Sequence, residues 1–163
     1  MIILGIDPGY AIVGYGVIEY NASKFRVIDY GAITTQAGTP TAQRLDIIYG
    51  ALGKLIEKTK PEVMSVEKLY FNTNVTTAIR VAEARGVIML CAQRHGVSVA
   101  EYTPLQVKQA VVGYGKAEKH QVQQMVKMML NLKEIPKPDD TADALAIAVC
   151  HAHSGFSRAL GLN

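Results

Sequence analysis

The sequence predicts an α/β protein built on one mixed sheet, and three observations carry that expectation. Three β-like segments follow one another at the start, strand-length apolar runs then alternate with helical patterns, and the last third holds helical patterns only. The order β β β α β α β α α α implies a three-stranded antiparallel meander followed by two parallel strands. Five strands result, with helices flanking the sheet.

Each element has its own signal. Ile2 to Asp7 is nearly all apolar, Val13 to Tyr20 is interrupted by Gly14 and Gly16, and Phe25 to Thr35 is rich in β-branched and aromatic residues. Asp7-Pro8-Gly9 suits a type II turn with Gly9 at positive φ, and Asn21 to Lys24 supplies the next turn. From Thr41 to Lys60, Leu45, Ile48, Leu52, Leu55 and Ile56 recur at helical spacing, with Thr41 as cap and Pro61 as stop. Glu62 to Glu67 and Val97 to Tyr102 read as the two later strands. Between them a helical pattern runs from about Thr73 to His95, with Val75, Ile79, Ala82, Gly86 and Ala92 along one face. Helices follow at Thr103 to Val112, Lys116 to Leu132, and Asp139 or Asp140 to His153.

Composition bounds the rest. A chain of 163 residues, 49% hydrophobic, with no repeat or low-complexity stretch, makes one domain over 1–163, its last eight or so residues a tail. The longest uncharged stretches, Tyr30 to Gln43 and Ala144 to Ser157, are 14 residues each, short of the roughly 18 to 20 that cross a bilayer. No secretory signal is read at MIILGIDPGY, so the expectation is a soluble, cytoplasmic protein. Cys91 and Cys150 lie in apolar surroundings and read as buried thiols.

Chemistry enters through acids. A period of two puts Ile3, Gly5 and Asp7 on one strand face and Val63, Ser65 and Glu67 on another, so each strand ends in a carboxylate. If the strands are parallel neighbours, Asp7 and Glu67 stand side by side. Taken alone, Glu67 also reads as a solvated strand end and Asp7 as a turn residue bonding its own backbone. Asp140 and Asp143 share a helix face at i and i+3, while Asp139 reads as helix capping. Asp143 opens a helix apolar nearly all round, so its carboxylate must be offset by protons, hydrogen bonds or cations. Carboxylates from distant segments, without Cys or His spacing, suit Mg²⁺ or Mn²⁺. Two such ions about 4 Å apart can activate water against a phosphodiester.

The basic residues are segregated. Between Thr103 and Lys133 five lysines (108, 116, 119, 127, 133) face Glu118 alone, a net +4 in a chain of +3, which is the footprint of a phosphate-binding surface. The same lysines also suit an ordinary solvated helix face. His151, His153 and His95 read as helix-end residues, Met125, Met128 and Met129 as core, and Ala78, Ala82 and Gly86 as a surface for close packing on the sheet or on a second copy.

MIILGIDPGYAIVGYGVIEY, SVEKLYF, VAEARGV, QVKQAVVGYGKAEKHQVQ and DDTADALAIA, in this order over nearly the whole chain, resemble the RuvC family of Holliday-junction resolvases within the RNase H-like, retroviral-integrase superfamily. The resemblance implies an RNase H-like fold and a homodimer that resolves four-way junction DNA in recombination and repair. It would nick two strands of like polarity, using two Mg²⁺ per site (Mn²⁺ substituting) and leaving 5′-phosphate and 3′-hydroxyl ends. It puts the catalytic and metal-holding acids at Asp7, Glu67, Asp140 and Asp143, and DNA contacts at Lys108 and Lys119, with Lys116 in the same basic segment. An aromatic wedge falls on Tyr70 or its neighbour Phe71. A complex with the RuvA–RuvB branch-migration machinery is implied too, with no membrane and no small-molecule cofactor. Leu4 to Gly9 also resembles the phosphate loop of actin-like ATPases, whose two lobes need more than 163 residues. A junction-binding protein without catalysis is the other alternative, and all four acids speak against it.

Overall fold

The computed structural model describes residues 1–69 and 75–159. One five-stranded sheet organises the chain, in the order β3-β2-β1-β4-β5. Its strands are β1 (Ile2–Asp7), β2 (Ile12–Asn21), β3 (Lys24–Thr34), β4 (Val63–Glu67) and β5 (Ser98–Tyr102). β1 pairs with β2 and β2 with β3 antiparallel, while β1, β4 and β5 run parallel. The helices are α1 (Thr41–Thr59), α2 (Val75–Arg94), α3 (Pro104–Val112), α4 (Lys119–Met129) and α5 (Asp139–Ala159). The mixed sheet flanked by helices is therefore the expected one.

Two apolar layers sandwich the sheet. On one face Ile3 and Ile18 meet Leu145, Ile147 and Val149 of α5, with α3 and α4 stacked outside through Val107, Val111, Val122 and Val126. On the other, Leu4, Ile6, Val17 and Val66 meet Ile48, Leu52 and Ile56 of α1 and Ala84, Ile88 and Cys91 of α2. Successive strand residues point to opposite faces, which is why β1 and β4 read as unbroken apolar runs. Both cysteines are free and buried, and loss of solvation pushes their thiols up to about 11.

The structure corrects several expectations. Gly9 is not among the glycines at positive φ, so Asp7-Pro8-Gly9 is no type II turn; a Cβ there would instead meet the carbonyl oxygen of Ile12 at 1.9 Å. The next turn is built on non-glycine residues, with Ala22 and Ser23 at φ 47 and 64. Pro40, not Thr41, caps α1. α4 begins at Lys119 rather than Lys116, because Glu118 forms a capping box with Gln121 and ends the turn that holds Lys116. α5 continues past His153 to Ala159, so the two histidines are inside a helix: Nδ1 of His151 lies 2.8 Å from the Tyr102 hydroxyl, and Nδ1 of His153 lies 3.0 Å from the Ala110 carbonyl. Met128 is exposed rather than core.

The largest correction concerns α2. Its core side is Ala84, Ile88, Cys91 and Ala92, whereas Ile79, Ala82, Gly86 and Leu90 form an outward stripe, with Ile79 55% and Leu90 52% exposed. The single apolar face read from the sequence is really two faces.

Candidate active site and nucleic-acid interface

The site is built where β1, β4 and α5 end or begin together. In the parallel ladder Gly5 stands beside Ser65 and Ile6 beside Val66, so the next residues, Asp7 and Glu67, project from adjacent strand ends. α5 reaches them because three glycines leave the sheet bare. A Cβ on Gly5 would meet the Ala144 carbonyl at 2.0 Å, one on Gly14 the Asp140 carbonyl at 2.0 Å, and one on Gly16 the Leu145 side chain at 2.5 Å. The helix therefore lies directly on the backbone of β1 and β2, which carries its first turn to the acid end of the sheet. Thr141, fully buried, fixes this approach by donating from Oγ1 to the Gly31 carbonyl at 3.0 Å.

Electrostatics registers the convergence. Burial, then the facing carboxylates of Asp143, Glu67 and Asp140, push the Asp7 carboxyl up to about 7. Glu67 is raised as well, by burial first and Asp143 next, with Lys108 and Lys119 pulling the other way. Asp143 is raised by burial, but Lys119 opposes this with a 2.9 Å ion pair. The same hydrogen bond holds the Lys119 ammonium above its usual range. All four acids named from the sequence are thus brought within electrostatic reach of one another. Asp139 is not part of the cluster centre: it faces Lys137 at 2.9 Å, which lowers its carboxyl, and Lys119 lies 3.7 Å away.

Among the described residues no three His, Cys, Asp or Glu side chains already stand as a finished metal cage, and the Lys119 ammonium sits against Asp143 where a cation belongs. The donor set still fits hard divalent ions. It offers carboxylate oxygens alone, partly buried, with more negative charge than one lysine neutralises.

Of the basic residues, Lys108 and Lys119 join Glu67 and Asp143 around a cleft of about 200 Å³ whose apolar wall includes Val107 and Ile147. Lys116 is exposed on the turn before α4. Tyr70 and Phe71 lie outside the described residues. A group that sequence reasoning passed over braces the loop after Asp7. Arg44, buried, donates from Nε to Thr35 Oγ1 at 2.7 Å and from a terminal nitrogen to the Tyr10 carbonyl at 3.3 Å, with its guanidinium 3.7 Å from the Tyr10 ring centre. The Tyr10 hydroxyl reaches Thr41 Oγ1 at 3.1 Å, and Arg80 bonds the same oxygen. The only signal for this in the sequence is an arginine inside the apolar pattern of α1.

The family described as crossover junction endodeoxyribonuclease RuvC matches residues 3–151. The chain belongs to the RuvC family. Among curated relatives of that name, the protein of Alkaliphilus metalliredigens is 61% identical over 160 residues, covering 98% of each chain. That of Clostridioides difficile is 60% identical over 154 residues, 94% of this chain and 91% of its own. The solved structure of Thermus thermophilus RuvC in complex with a Holliday junction substrate superimposes with a TM-score of 0.92 at 36% identity, covering 99% and 97% of the two chains. The yeast mitochondrial Holliday junction resolvase Ydc2, 16% identical with a TM-score of 0.71, shares the fold.

Proposed function

We propose that this RuvC-family chain is a crossover junction endodeoxyribonuclease, working as a homodimer that resolves four-way junction DNA by nicking two strands of like polarity. The observation that carries the proposal is the convergence of Asp7, Glu67, Asp140 and Asp143 at one end of the sheet beside the lysine-bearing cleft. Asp7 would be shared between two Mg²⁺ ions, Mn²⁺ substituting, with Glu67 and Asp143 each completing one set of ligands. When bound, these ions supply Lewis-acid activation of water and stabilisation of the leaving 3′ oxygen, so that 5′-phosphate and 3′-hydroxyl ends result.

The chain's own residues do the rest. Asp140, at the first turn of α5, orients the attacking water with its carboxylate. Lys108 and Lys119 hold the phosphates on either side of the cut, with Lys116 further along the same basic stretch. Loading the acids with cations frees Lys119 from Asp143 for that contact, since both interactions need the same ammonium. Arg44 keeps the Asp7 loop from moving as the backbone of the DNA is drawn in.

Symmetric cutting needs two such sites. The outward stripe Ile79, Ala82, Gly86 and Leu90 on α2 gives a second copy a seam in which small residues allow close approach and Ile79 and Leu90 bury apolar area. We place the whole of 1–163 in one nuclease domain acting on DNA in the cytoplasm, coupled to the RuvA–RuvB branch-migration machinery. No helix of the described residues is long and apolar enough to cross a membrane.

The deciding experiment incubates end-labelled four-way junction and matched linear duplex with wild type, Asp7→Asn and Asp143→Asn, in Mg²⁺ and in Ca²⁺. Paired symmetric nicks appear with wild type in Mg²⁺ on the junction only. Both variants lose more than about a hundredfold in rate, because disturbing even an outer partner of a metal ligand costs 10- to 100-fold. Both retain junction binding in Ca²⁺. An uncut junction, or nicking indifferent to both substitutions, would sink the proposal.

A further inference from the structure

The end of β4 is less well held than its centre. The ladder between β1 and β4 stops at the pair Ile6–Val66, one residue before Glu67, and Pro8, which follows Asp7, has no N–H with which to extend it. On its other side β4 remains attached to β5 through the Glu67–Tyr102 pair and a 2.7 Å bond from the Lys68 amide to the Tyr102 carbonyl. The side chain that reaches the Glu67 main chain comes from neither strand. Arg85 of α2, its side chain only 17% exposed, donates from Nε to the Glu67 carbonyl at 3.4 Å and through a terminal nitrogen to the Glu101 carboxylate on β5. One guanidinium thus straddles the ends of two strands, a geometry its rigid fork permits. A cleft of about 380 Å³ joins Arg85, Lys68 and Glu101 to Ala82 and Gly86 on the outward stripe of the same helix.

We infer that Arg85 is a positioning residue for Glu67: it pins the strand end from which that carboxylate projects, and ties the outward face of α2 to the acid cluster. A second copy seated on Ala82 and Gly86 would close the cleft over Arg85, so that the acid cluster is completed by assembly. The inference rests on Glu67 being a metal-holding carboxylate. It concerns the support of that carboxylate, which needs to be held to within a fraction of an ångström to act.

The test compares wild type with Arg85→Met, Arg85→Lys, Glu101→Gln and Glu67→Gln. Four quantities are measured: Ca²⁺ affinity by calorimetry without DNA, kcat and KM on a four-way junction in Mg²⁺, mass by light scattering, and melting temperature. Arg85→Met is expected to weaken Ca²⁺ binding and lower kcat by about 10- to 100-fold, the usual loss when an outer partner of a metal ligand is removed, with KM changed less than about twofold. Arg85→Lys, which keeps the charge but not the fork, recovers part of both. Glu101→Gln, which leaves the α2 face intact, loses in the same direction by less, and it decides the matter should Arg85→Met fall to a monomer. A lower melting temperature in Arg85→Met with Ca²⁺ affinity and kcat unchanged, while Glu67→Gln abolishes both, overturns the role of Arg85 and leaves the assignment of Glu67 standing. Glu67→Gln without effect overturns both together.

Discussion

The two faces of the sheet are covered by different means. On the face of α1 and α2, contact is made by large side chains, Ile48, Leu52, Ile56 and Ile88 against Leu4, Ile6 and Val66. On the face of α5, contact near the acids is made by their absence: Gly5, Gly14 and Gly16 let the helix backbone rest on the strand backbone. Side-chain packing keeps helix and sheet a full layer apart, and a gap of that width would leave Asp140 and Asp143 out of reach of Asp7. One face is thus built for stability and leaves an outward helix stripe for a partner, while the other is built for proximity.

The sharpest way to break this contrast is to add one methyl group to each face. Gly14→Ala puts a Cβ where the Asp140 carbonyl already lies, 2.0 Å away, and is expected to destabilise the fold by about 3 kcal/mol and to abolish cleavage. Gly50→Ala on α1 meets nothing within 4 Å and should gain about 0.5 to 1 kcal/mol. Urea unfolding of the two variants measures both. Equal effects would end the distinction between the faces.

Next in size is the outward stripe. Ile79→Glu with Leu90→Glu should convert a dimer to a monomer by light scattering while leaving the far-ultraviolet circular dichroism unchanged, since both side chains are more than half exposed. Such a monomer would lose paired nicking of the junction.

A third test reads the acids through pH. Asp7 keeps its proton to about pH 7 in the folded chain and loses it near 3.8 when unfolded, so the native state binds more protons across that window. Stability of the metal-free protein therefore falls as pH rises from about 4 to 7. Excess Mg²⁺ should reverse the trend near neutrality, and Asp7→Asn should flatten it. Melting curves in chelator and in Mg²⁺ check the sign, and a metal-free protein that gains stability from its carboxylates over this range contradicts the crowding of the four acids.

The smallest effect is expected at Lys119. Replacing it by Met removes one phosphate contact, so the slope of log affinity for junction DNA against log salt should become shallower by about 0.9. It also removes the cation paired with Asp143 at 2.9 Å, so Ca²⁺ binding to the DNA-free protein should tighten. Calorimetry separates the two consequences.

How much of this could be read beforehand differs from residue to residue. The adjacency of Asp7 and Glu67 was legible because strand period and the crossover rule place the ends of parallel neighbours together, and the register Ile6–Val66 agrees. The exposed side of α2 was not legible, because small and apolar residues occur nearly all round that helix and periodicity cannot say which side meets the sheet. Gly14 and Gly16 read as interruptions of a strand, since a missing Cβ has meaning only once the atom that fills its place is known.

The order of elements, the carboxylates at two strand ends, the paired aspartates of α5 and the lysine-rich segment were all present in the linear chain, because alternation, helical period and charge are local properties. Only folding decided that α5 lies on bare strand backbone, that Lys119 pairs with Asp143, that Arg85 spans two strand ends, and that Ile79 and Leu90 face outward. Each of those depends on which distant surfaces come within a few ångströms of one another, and that is settled by packing the whole sheet at once.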